Sequence, residues 1–302
     1  MPYYVMPDGE GLFVREFGQG QPVLVLSGLG MHSWQWLPFL WPLRKQFRFI
    51  IPDWRGFGGS KQCRIPELDA ISSHWQDVQS LIQQMQLQQF IIIAYSMGAT
   101  TAMHGMQYGQ LATQLKAYLH IDQTPKILVD EHWAYGLFGQ QHSRFKQILS
   151  ELSALFTEHA HLQWIHDLNN TAKDQLFALW MQFIELQNNN PRQRAIFRKI
   201  LQQPRLQHLL LPSSRLDYMA WYIRNYLEHT EDYREALSQL NCPTVFFSGV
   251  QSVLYPVQGQ TLIAQSVAQA QQVLFEKSGH TPLLTEPLKF AREIKHFLLQ
   301  HQ

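Results

Sequence analysis

The chain has 302 residues, a formal net charge of +1 and a hydrophobic content of 45%, which fit one large α/β domain with an insertion, or two modest domains. The near-neutral charge gives no reason to expect nucleic acid or an acidic membrane as a partner. The two cysteines, Cys63 and Cys242, lie far apart and form neither a disulfide framework nor a metal-ligand spacing.

The N-terminal segment lacks the basic and apolar regions of a secretory signal. No window of the sequence approaches the roughly 18–20 unbroken apolar residues that a membrane-spanning helix needs. We therefore predict a cytoplasmic protein without stable membrane association.

Short apolar runs separated by turn residues mark the first part of the chain as strands alternating with helices. Tyr3–Met6 and Leu12–Phe17 flank a turn that contains proline, aspartate and glycine, and they predict an antiparallel hairpin. Pro22–Leu26 is apolar on both faces, as in parallel strands covered by helices, and Phe47–Pro52 is the next predicted strand. Between these two strands we predict a helix that ends near Lys45.

A glycine-rich segment, Asp53–Ser60, follows the second of these parallel strands. It lacks the G-x-x-x-x-G-K-S/T spacing of a phosphate-binding loop, and no helix is predicted to begin on it. We therefore interpret it as a tight loop held by a contact between Asp53 and Arg55.

The segment Phe90–Met103 changes abruptly at Ser96 from an apolar, β-branched run to a helix-compatible run. Ala94 and Gly98 flank the serine, so the pattern is small-x-Ser-x-Gly between a strand and a helix, which is typical of a nucleophile elbow. At such a turn the serine adopts a strained conformation, and small neighbours prevent the two backbones from colliding. Because the N-terminus of the following helix favours developing negative charge, Ser96 is the candidate nucleophile.

Beyond the elbow helix, Leu115–Asp122 predicts another strand, and the strand pattern then stops. From 126 to 240, large apolar residues recur at helical spacing, with predicted turns at 188–191 and 211–214. Strands alternate with helices again from Pro243 to the C-terminus. The predicted fold is therefore a mostly parallel central sheet with helices on both faces, interrupted by an all-helical insertion.

These motifs together resemble the α/β-hydrolase superfamily over nearly the whole chain. The matching pieces, in order, are Leu26–Gly30, Asp53–Ser60, the elbow at Ser96, Pro243–Gly249 and Gly279-His280-x-Pro282. The resemblance implies a catalytic triad in the order serine, acid, histidine, in which His280 takes the proton of the serine hydroxyl and later returns it. It also implies a core domain of residues 1–125 and 241–302 and a helical cap at 126–240.

The acid departs from the commonest pattern of that family. Most members carry it as Gly-x-x-Asp after the strand that here spans 243–249, but this chain has Ser252 at that place and no carboxylate until Glu276. A serine cannot carry the negative charge that stabilises imidazolium. Some lipases of the family use an aspartate at the end of the strand after the elbow strand, where Asp122 lies. We predict Asp122 as the acid, the alternative being an aspartate that caps a turn before Pro125.

The resemblance also implies an oxyanion hole formed by the backbone amides of Leu29 and Met97. The insertion is the size of a cap domain in this family, and its aromatic side chains would roof an apolar pocket if they face the triad. The alternative is that most of them form the core of the cap itself. Our candidate substrate-binding residues are Trp34, Tyr95, Trp180 and Trp221.

These inferences predict a serine hydrolase that cleaves a carboxylic ester with an apolar acyl or alcohol part, through an acyl-enzyme on Ser96. Acyl transfer and the hydrolysis of thioesters, lactones or carbon–carbon bonds share the machinery and stay open, as does the oligomeric state. The rival from another class is a non-catalytic ligand-binding member, which the missing acid after Gly249 favours. No cofactor is predicted, and His159, His161 and His166 match no metal-site spacing.

Overall fold

A computed structural model describes residues 2–187, 191–201, 203 and 215–302. Its strands are β1 (Tyr3–Val5), β2 (Gly11–Gly18), β3 (Gln21–Leu26), β4 (Phe47–Pro52), β5 (Phe90–Tyr95), β6 (Leu115–Ile121), β7 (Thr244–Gly249) and β8 (Gln271–Phe275). They form one sheet in the order β1-β2-β4-β3-β5-β6-β7-β8. β2 pairs antiparallel with β1 and β4, and all other neighbours are parallel. The predicted mostly parallel sheet is confirmed.

The α-helices of the described residues are α1 (Leu37–Leu40), α2 (Ala70–Gln84), α3 (Met97–Tyr108), α4 (Leu111–Gln114), α5 (His142–Glu158), α6 (Asn170–Gln187), α7 (Pro191–Leu201), α8 (Leu216–Glu228), α9 (Arg234–Ser238), α10 (Val257–Ser266), α11 (Pro282–Thr285) and α12 (Pro287–Gln300). None of these helices combines the length and the apolar character needed to cross a bilayer. The turns predicted at 188–191 and 211–214 fall, apart from the first residue of α7, outside the described residues.

Buried side chains fill the space on both faces of the sheet. Along β5, Ile92 and Ala94 belong to one buried cluster, together with residues of α2 and α3. Ile91, Ile93 and Tyr95 belong to a second cluster, together with residues of α12. Because side chains alternate along a strand, a strand covered on both faces must be apolar at every position. This explains the unbroken apolar run before Ser96.

The helix predicted between β3 and β4 is broken into three short pieces. A 3-10 helix at Ser33–Trp36 leads into α1, and a second 3-10 helix follows at Trp41–Leu43. Pro38 and Pro42 occupy the first turns of the later two pieces. Proline has no N–H to donate and clashes with the preceding turn, so a continuous helix cannot pass through these positions.

The glycine-rich loop after β4 is tight, but the predicted contact between Asp53 and Arg55 is wrong. Asp53 instead accepts hydrogen bonds from the backbone amides of Ser33 (2.6 Å) and Gly59 (2.9 Å). Arg55 forms ion pairs with Asp77 (2.7 Å) and Asp8 (2.6 Å). A buried guanidinium needs carboxylates on several of its N–H groups, and two separate segments supply them here.

Between β6 and β7, the described residues form the helices α5 to α9, and most members of a third apolar cluster lie in this insertion. Ile148 and Leu152 of α5 and Leu176 of α6 are fully buried in this cluster, which also takes in side chains of α8. Tyr255, from the loop after β7, joins the same cluster. The division into a core domain (1–125 and 241–302) and a cap domain (126–240) stays a prediction.

Helix α8 anchors the insertion to the loop that follows β4. The Tyr222 hydroxyl donates to the Arg55 carbonyl at 2.9 Å, and the Trp221 indole N–H donates to the Leu68 carbonyl at 3.0 Å. Gly56 has φ 87°, and a Cβ at that position would lie 2.6 Å from the Tyr218 ring. Glycine is therefore required at position 56 both for its backbone conformation and for this close approach.

Candidate active site

The register of the parallel strands places the ends of β3, β5, β6 and β7 side by side. Leu26 is paired with Ala94, Tyr95 with Ile121, and Ile121 with Phe247. Residues that directly follow these strands therefore meet at one edge of the sheet, where open α/β sheets bind ligands.

The turn at Ser96 has the geometry that the sequence pattern predicts. Ser96 has φ 51° and ψ −122°, a left-handed conformation that is rare for a residue with a side chain. A Cβ at Gly98 would lie 2.2 Å from the Leu26 carbonyl oxygen, so no larger residue fits there. α3 begins directly after the serine, and its N-terminus lies next to the hydroxyl.

His280 lies within hydrogen-bond distance of both other predicted triad residues. Its Nε2 is 3.0 Å from Ser96 Oγ, and its Nδ1 is 2.6 Å from Asp122 Oδ2. An ionised carboxylate only accepts hydrogen bonds, so Nδ1 carries the proton and Nε2 is left to accept the serine proton. The arrangement is therefore suited to general-base activation of Ser96.

Asp122 follows β6 directly and is held by the sheet. It has φ 42°, and its backbone amide donates to the Phe247 carbonyl at 2.8 Å. Its side chain is fully buried. Oδ1 accepts from the Gly249 amide (3.1 Å) and the Gln260 side-chain amide (2.8 Å), while Oδ2 also accepts from the Ser252 hydroxyl (2.8 Å). These donors stabilise a buried negative charge that would otherwise be costly.

The donors to Asp122 come from the segment in which the commoner acid of the family would lie. Ser252, at the expected position of that acid, donates a hydrogen bond directly to the carboxylate. Gln260 on α10 was not predicted at all, because nothing in its sequence context distinguishes it from other helical glutamines.

Tyr95, a predicted substrate-binding residue, is buried beside His280. Its hydroxyl donates to the His280 backbone carbonyl at 2.8 Å, and the two rings stack with centroids 5.1 Å apart. Burial raises the pKa of Tyr95 well above its usual value, so the hydroxyl stays protonated and remains a donor. These contacts indicate that Tyr95 helps to hold the His280 imidazole in place.

Tyr255 is a second aromatic residue that contacts the imidazole, and the sequence did not predict it. Its ring meets that of His280 edge-on, with centroids 5.3 Å apart, and the residue is buried. Burial raises the pKa of the Tyr255 phenol well above its usual value, so the hydroxyl stays protonated.

The loop after β3 packs directly against the elbow. A Cβ at Gly28 would lie 3.0 Å from the Tyr95 ring and 3.4 Å from Ser96 Cβ, so the loop can approach closely only because residue 28 is glycine. Within the described residues, neither the Leu29 amide nor the Met97 amide donates a hydrogen bond. Both remain available for an oxyanion, and their assignment as an oxyanion hole stays a prediction.

The other three predicted substrate-binding residues occupy different environments. Trp34 is 56% exposed. Trp180 is buried in the apolar cluster of the insertion, with its ring centroid 5.0 Å from that of Phe183. Trp221 is bonded to the Leu68 carbonyl on the core side of α8. The assignment of these three side chains to a substrate pocket stays a prediction.

His120 is a further buried residue that the sequence analysis missed. Its Nδ1 lies 2.9 Å from the Tyr118 hydroxyl and its Nε2 lies 3.2 Å from the Gln123 carbonyl. A carbonyl only accepts, so Nε2 carries the proton. Burial lowers the pKa of His120 to about 4, and the neutral ring thus braces the turn in which Asp122 adopts its left-handed conformation.

Across the described ranges, no three histidine, cysteine, aspartate or glutamate side chains are grouped as a metal site would require. His159 and His161 lie with ring centroids 6.3 Å apart, and His166 stacks on Trp164.

The sequence is related to known proteins over almost its full length. The family model described as alpha/beta hydrolase fold matches residues 21–287. The pimeloyl-(acyl-carrier protein) methyl ester esterase of Legionella pneumophila (strain Corby) is 24% identical over 291 residues, which cover 95% of this chain and 99% of the relative. The Vibrio campbellii protein of the same name is 23% identical, covering 94% of this chain and 96% of the relative.

Solved structures with the same fold include an esterase from Exiguobacterium antarcticum, with a TM-score of 0.70 and 19% identity over 98% of each chain. They also include an enol-lactonase from Burkholderia xenovorans LB400, with a TM-score of 0.63 and 19% identity over 99% of this chain and 100% of that one. These structural likenesses concern the fold. Because the family model matches most of the chain, the protein belongs to the α/β-hydrolase fold family.

Proposed function

We propose that this protein is a serine hydrolase that cleaves a carboxylic ester through an acyl-enzyme on Ser96. The observation that carries the proposal is the continuous hydrogen-bonded series from Ser96 Oγ to His280 and from His280 to the buried Asp122. The curated relatives, which are named as esterases and match nearly the whole chain, support the same reaction class.

In the proposed mechanism, Ser96 Oγ attacks the ester carbonyl while its proton passes to Nε2 of His280. Asp122 holds the proton on Nδ1 and stabilises the imidazolium that forms. His280 then donates the proton to the departing alkoxide, which leaves as the alcohol. A water molecule, deprotonated by the same imidazole, attacks the acyl-enzyme and releases the acid.

The negative charge on the carbonyl oxygen would be stabilised by the backbone amides of Leu29 and Met97. Donors preorganised for such an oxyanion contribute about 2.7–4 kcal/mol each to transition-state stabilisation. The N-terminus of α3 adds a favourable dipole at the same place.

The first substrate to test is suggested by the names of the curated relatives. A methyl ester of an acyl chain linked to a carrier protein is the class in those names, and it combines an apolar acyl part with a small leaving alcohol. Thioesters, lactones and acyl transfer use the same machinery and are the alternatives. The apolar acyl substrate and the cytoplasmic location remain predictions from the sequence.

A serine-reactive phosphonate tests the proposal directly. Wild-type protein should be labelled on Ser96 and lose its activity towards a panel of methyl and nitrophenyl esters of varied acyl length. Ser96→Ala should be neither labelled nor active while keeping its circular dichroism spectrum. Absence of both labelling and ester cleavage in the folded wild type would instead favour a non-catalytic ligand-binding protein.

A further inference from the structure

The carboxylate of Asp122 depends on donors from a part of the chain that supplies no charge of its own. Among the described residues, three of the four donors to its side chain are Gly249, Ser252 and Gln260, in the segment from the end of β7 to α10. The fourth is His280. The family's commoner acid would lie in this same segment, so here the segment supplies donors to an acid on the neighbouring strand.

Gln260 differs from the other two donors because one group of its side chain donates two hydrogen bonds. Its Nε2 donates to Asp122 Oδ1 and to the Tyr255 carbonyl, both at 2.8 Å. Both partners are acceptors, so the NH₂ end of the amide must face them. Gln260 is 2% exposed, and water therefore cannot readily replace these bonds.

The hydrogen bond from Gln260 to the Tyr255 carbonyl connects the Asp122 carboxylate to the loop whose tyrosine ring packs on His280. Tyr255 is fixed at its backbone carbonyl by Gln260 and at its backbone amide by Ser252 Oγ (3.3 Å). The Tyr255 ring meets the imidazole edge-on. One side-chain amide thus orients the acid and also positions a ring that contacts the base.

We propose that Gln260 is a positioning residue for the triad: its amide holds Asp122 in the orientation that receives Nδ1–H of His280, and it ties this carboxylate to the Tyr255 loop. This inference rests on the proposed serine-hydrolase function. Gln260 does not touch the reacting atoms, so its effect is transmitted through Asp122 and His280.

The test replaces Gln260 with methionine, which has a similar length and shape but no N–H donors. We expect kcat to fall about 10- to 100-fold with KM within twofold of wild type, because a hydrogen bond to a charged, buried acceptor is lost. Gln265→Met is the matched control, since Gln265 is exposed on the same helix. Its kcat should be unchanged.

A double-mutant cycle separates positioning from general structural damage. If Gln260 acts through Asp122, introducing Gln260→Met into the wild-type protein should slow phosphonate labelling of Ser96. Introducing it into the Asp122→Asn variant should then change the labelling rate less than threefold. Fully additive effects, or a Gln260→Met enzyme with wild-type kcat, would overturn the inference. Should the methionine variant fail to fold, Gln260→Glu offers a second isosteric test, with the donor replaced by an acceptor and at least as large a loss expected.

A readout that needs no turnover keeps this inference distinct from the proposed function. The Nδ1–H proton of His280, hydrogen-bonded to Asp122, should give a low-field proton NMR resonance that Gln260→Met shifts and Gln265→Met leaves in place. An unshifted resonance would contradict the positioning role even in an active enzyme. An inactive, unlabelled wild type would contradict the proposed function while leaving the resonance test decisive for Gln260.

Discussion

The sheet edge that holds the candidate triad and the helical insertion after β6 differ in how side chains come to their places. At the sheet edge, Ser96 and Asp122 directly follow neighbouring parallel strands, and strand register alone brings them together. In the insertion, large side chains such as Trp180 pack mainly on one another. Position in the sequence therefore predicts chemistry at the edge, whereas packing decides the role of a residue in the insertion.

Tyr255 lies where the two regions meet. It belongs to the buried cluster of the insertion, and its ring also contacts His280. We therefore expect substitutions at the strand ends to alter the catalytic rate more than the stability. Substitutions of the α8 residues that bond to the loop after β4, such as Tyr222, should alter the stability more than the rate.

The largest effect is expected for Asp122→Asn, which should lower kcat by about 10⁴-fold, because an amide cannot stabilise imidazolium and favours the wrong tautomer of the histidine. Ser252→Ala should lower kcat by less than about tenfold, since it removes one of several donors to the carboxylate. Steady-state ester hydrolysis by the two purified variants and by wild type gives these kcat ratios. The assignment of the acid is wrong if Ser252→Ala alone abolishes turnover.

His74 provides a pH test of the contact between α2 and α8. Burial, aided by the positive charge of Arg55, lowers the pKa of His74 from its ordinary value of 6.5 to about 3. The unfolded chain therefore binds a proton that the folded chain does not, and stability falls as pH decreases from about 6.5 towards 3. His74→Phe should make this fall shallower by about 1.4 kcal/mol per pH unit.

Urea unfolding of wild type and His74→Phe at pH 7, 6 and 5 measures that slope. His161→Phe is the control, because His161 is exposed. Parallel curves for wild type and His74→Phe would show that His74 is not kept neutral by its surroundings.

Tyr222→Phe should destabilise the protein by about 1–3 kcal/mol while kcat changes less than twofold. The Tyr222 hydroxyl donates to the Arg55 carbonyl and accepts from Nε2 of His74 (2.9 Å), and the substitution leaves both buried groups without that partner. Thermal and urea unfolding give the stability, and ester hydrolysis gives the rate. A large loss of kcat without loss of stability would contradict the expectation that this α8 contact serves stability rather than catalysis.

A modest effect on rate, without loss of substrate binding, is expected for Tyr95→Phe. It removes the bond to the His280 carbonyl but keeps the ring that stacks on the imidazole, so kcat should fall by about two- to tenfold, equivalent to roughly 0.5–1.5 kcal/mol. KM for short and long acyl esters should be unchanged. A KM that rises selectively for one acyl length would instead support the predicted substrate contact of Tyr95.

The parts of the site that could be predicted from the sequence are those with a local backbone requirement. The small residues around Ser96 signal the elbow because a Cβ at Gly98 would collide with β3. The fold follows from apolar runs that need cover on both faces, as along β5. The choice of Asp122 came from the family's alternative acid position.

The parts that could not be predicted depend on contacts between distant segments. Gln260 meets Asp122 across 138 residues of sequence, and no local pattern encodes that meeting. The partners of Arg55 were missed for the same reason, since Asp8 and Asp77 lie on separate segments. Trp34, Trp180 and Trp221 were proposed from residue type alone, which does not tell an exposed ring from one buried among other rings.

The backbone of Asp122 is bonded into the sheet through Phe247, whereas His280 lies on a connecting loop after β8. Gentle heating loosens exposed connections sooner than central strands. Inactivation that precedes global melting should therefore begin with displacement of the imidazole, and cross-linking or stiffening that connection would extend the working temperature range without altering the sheet.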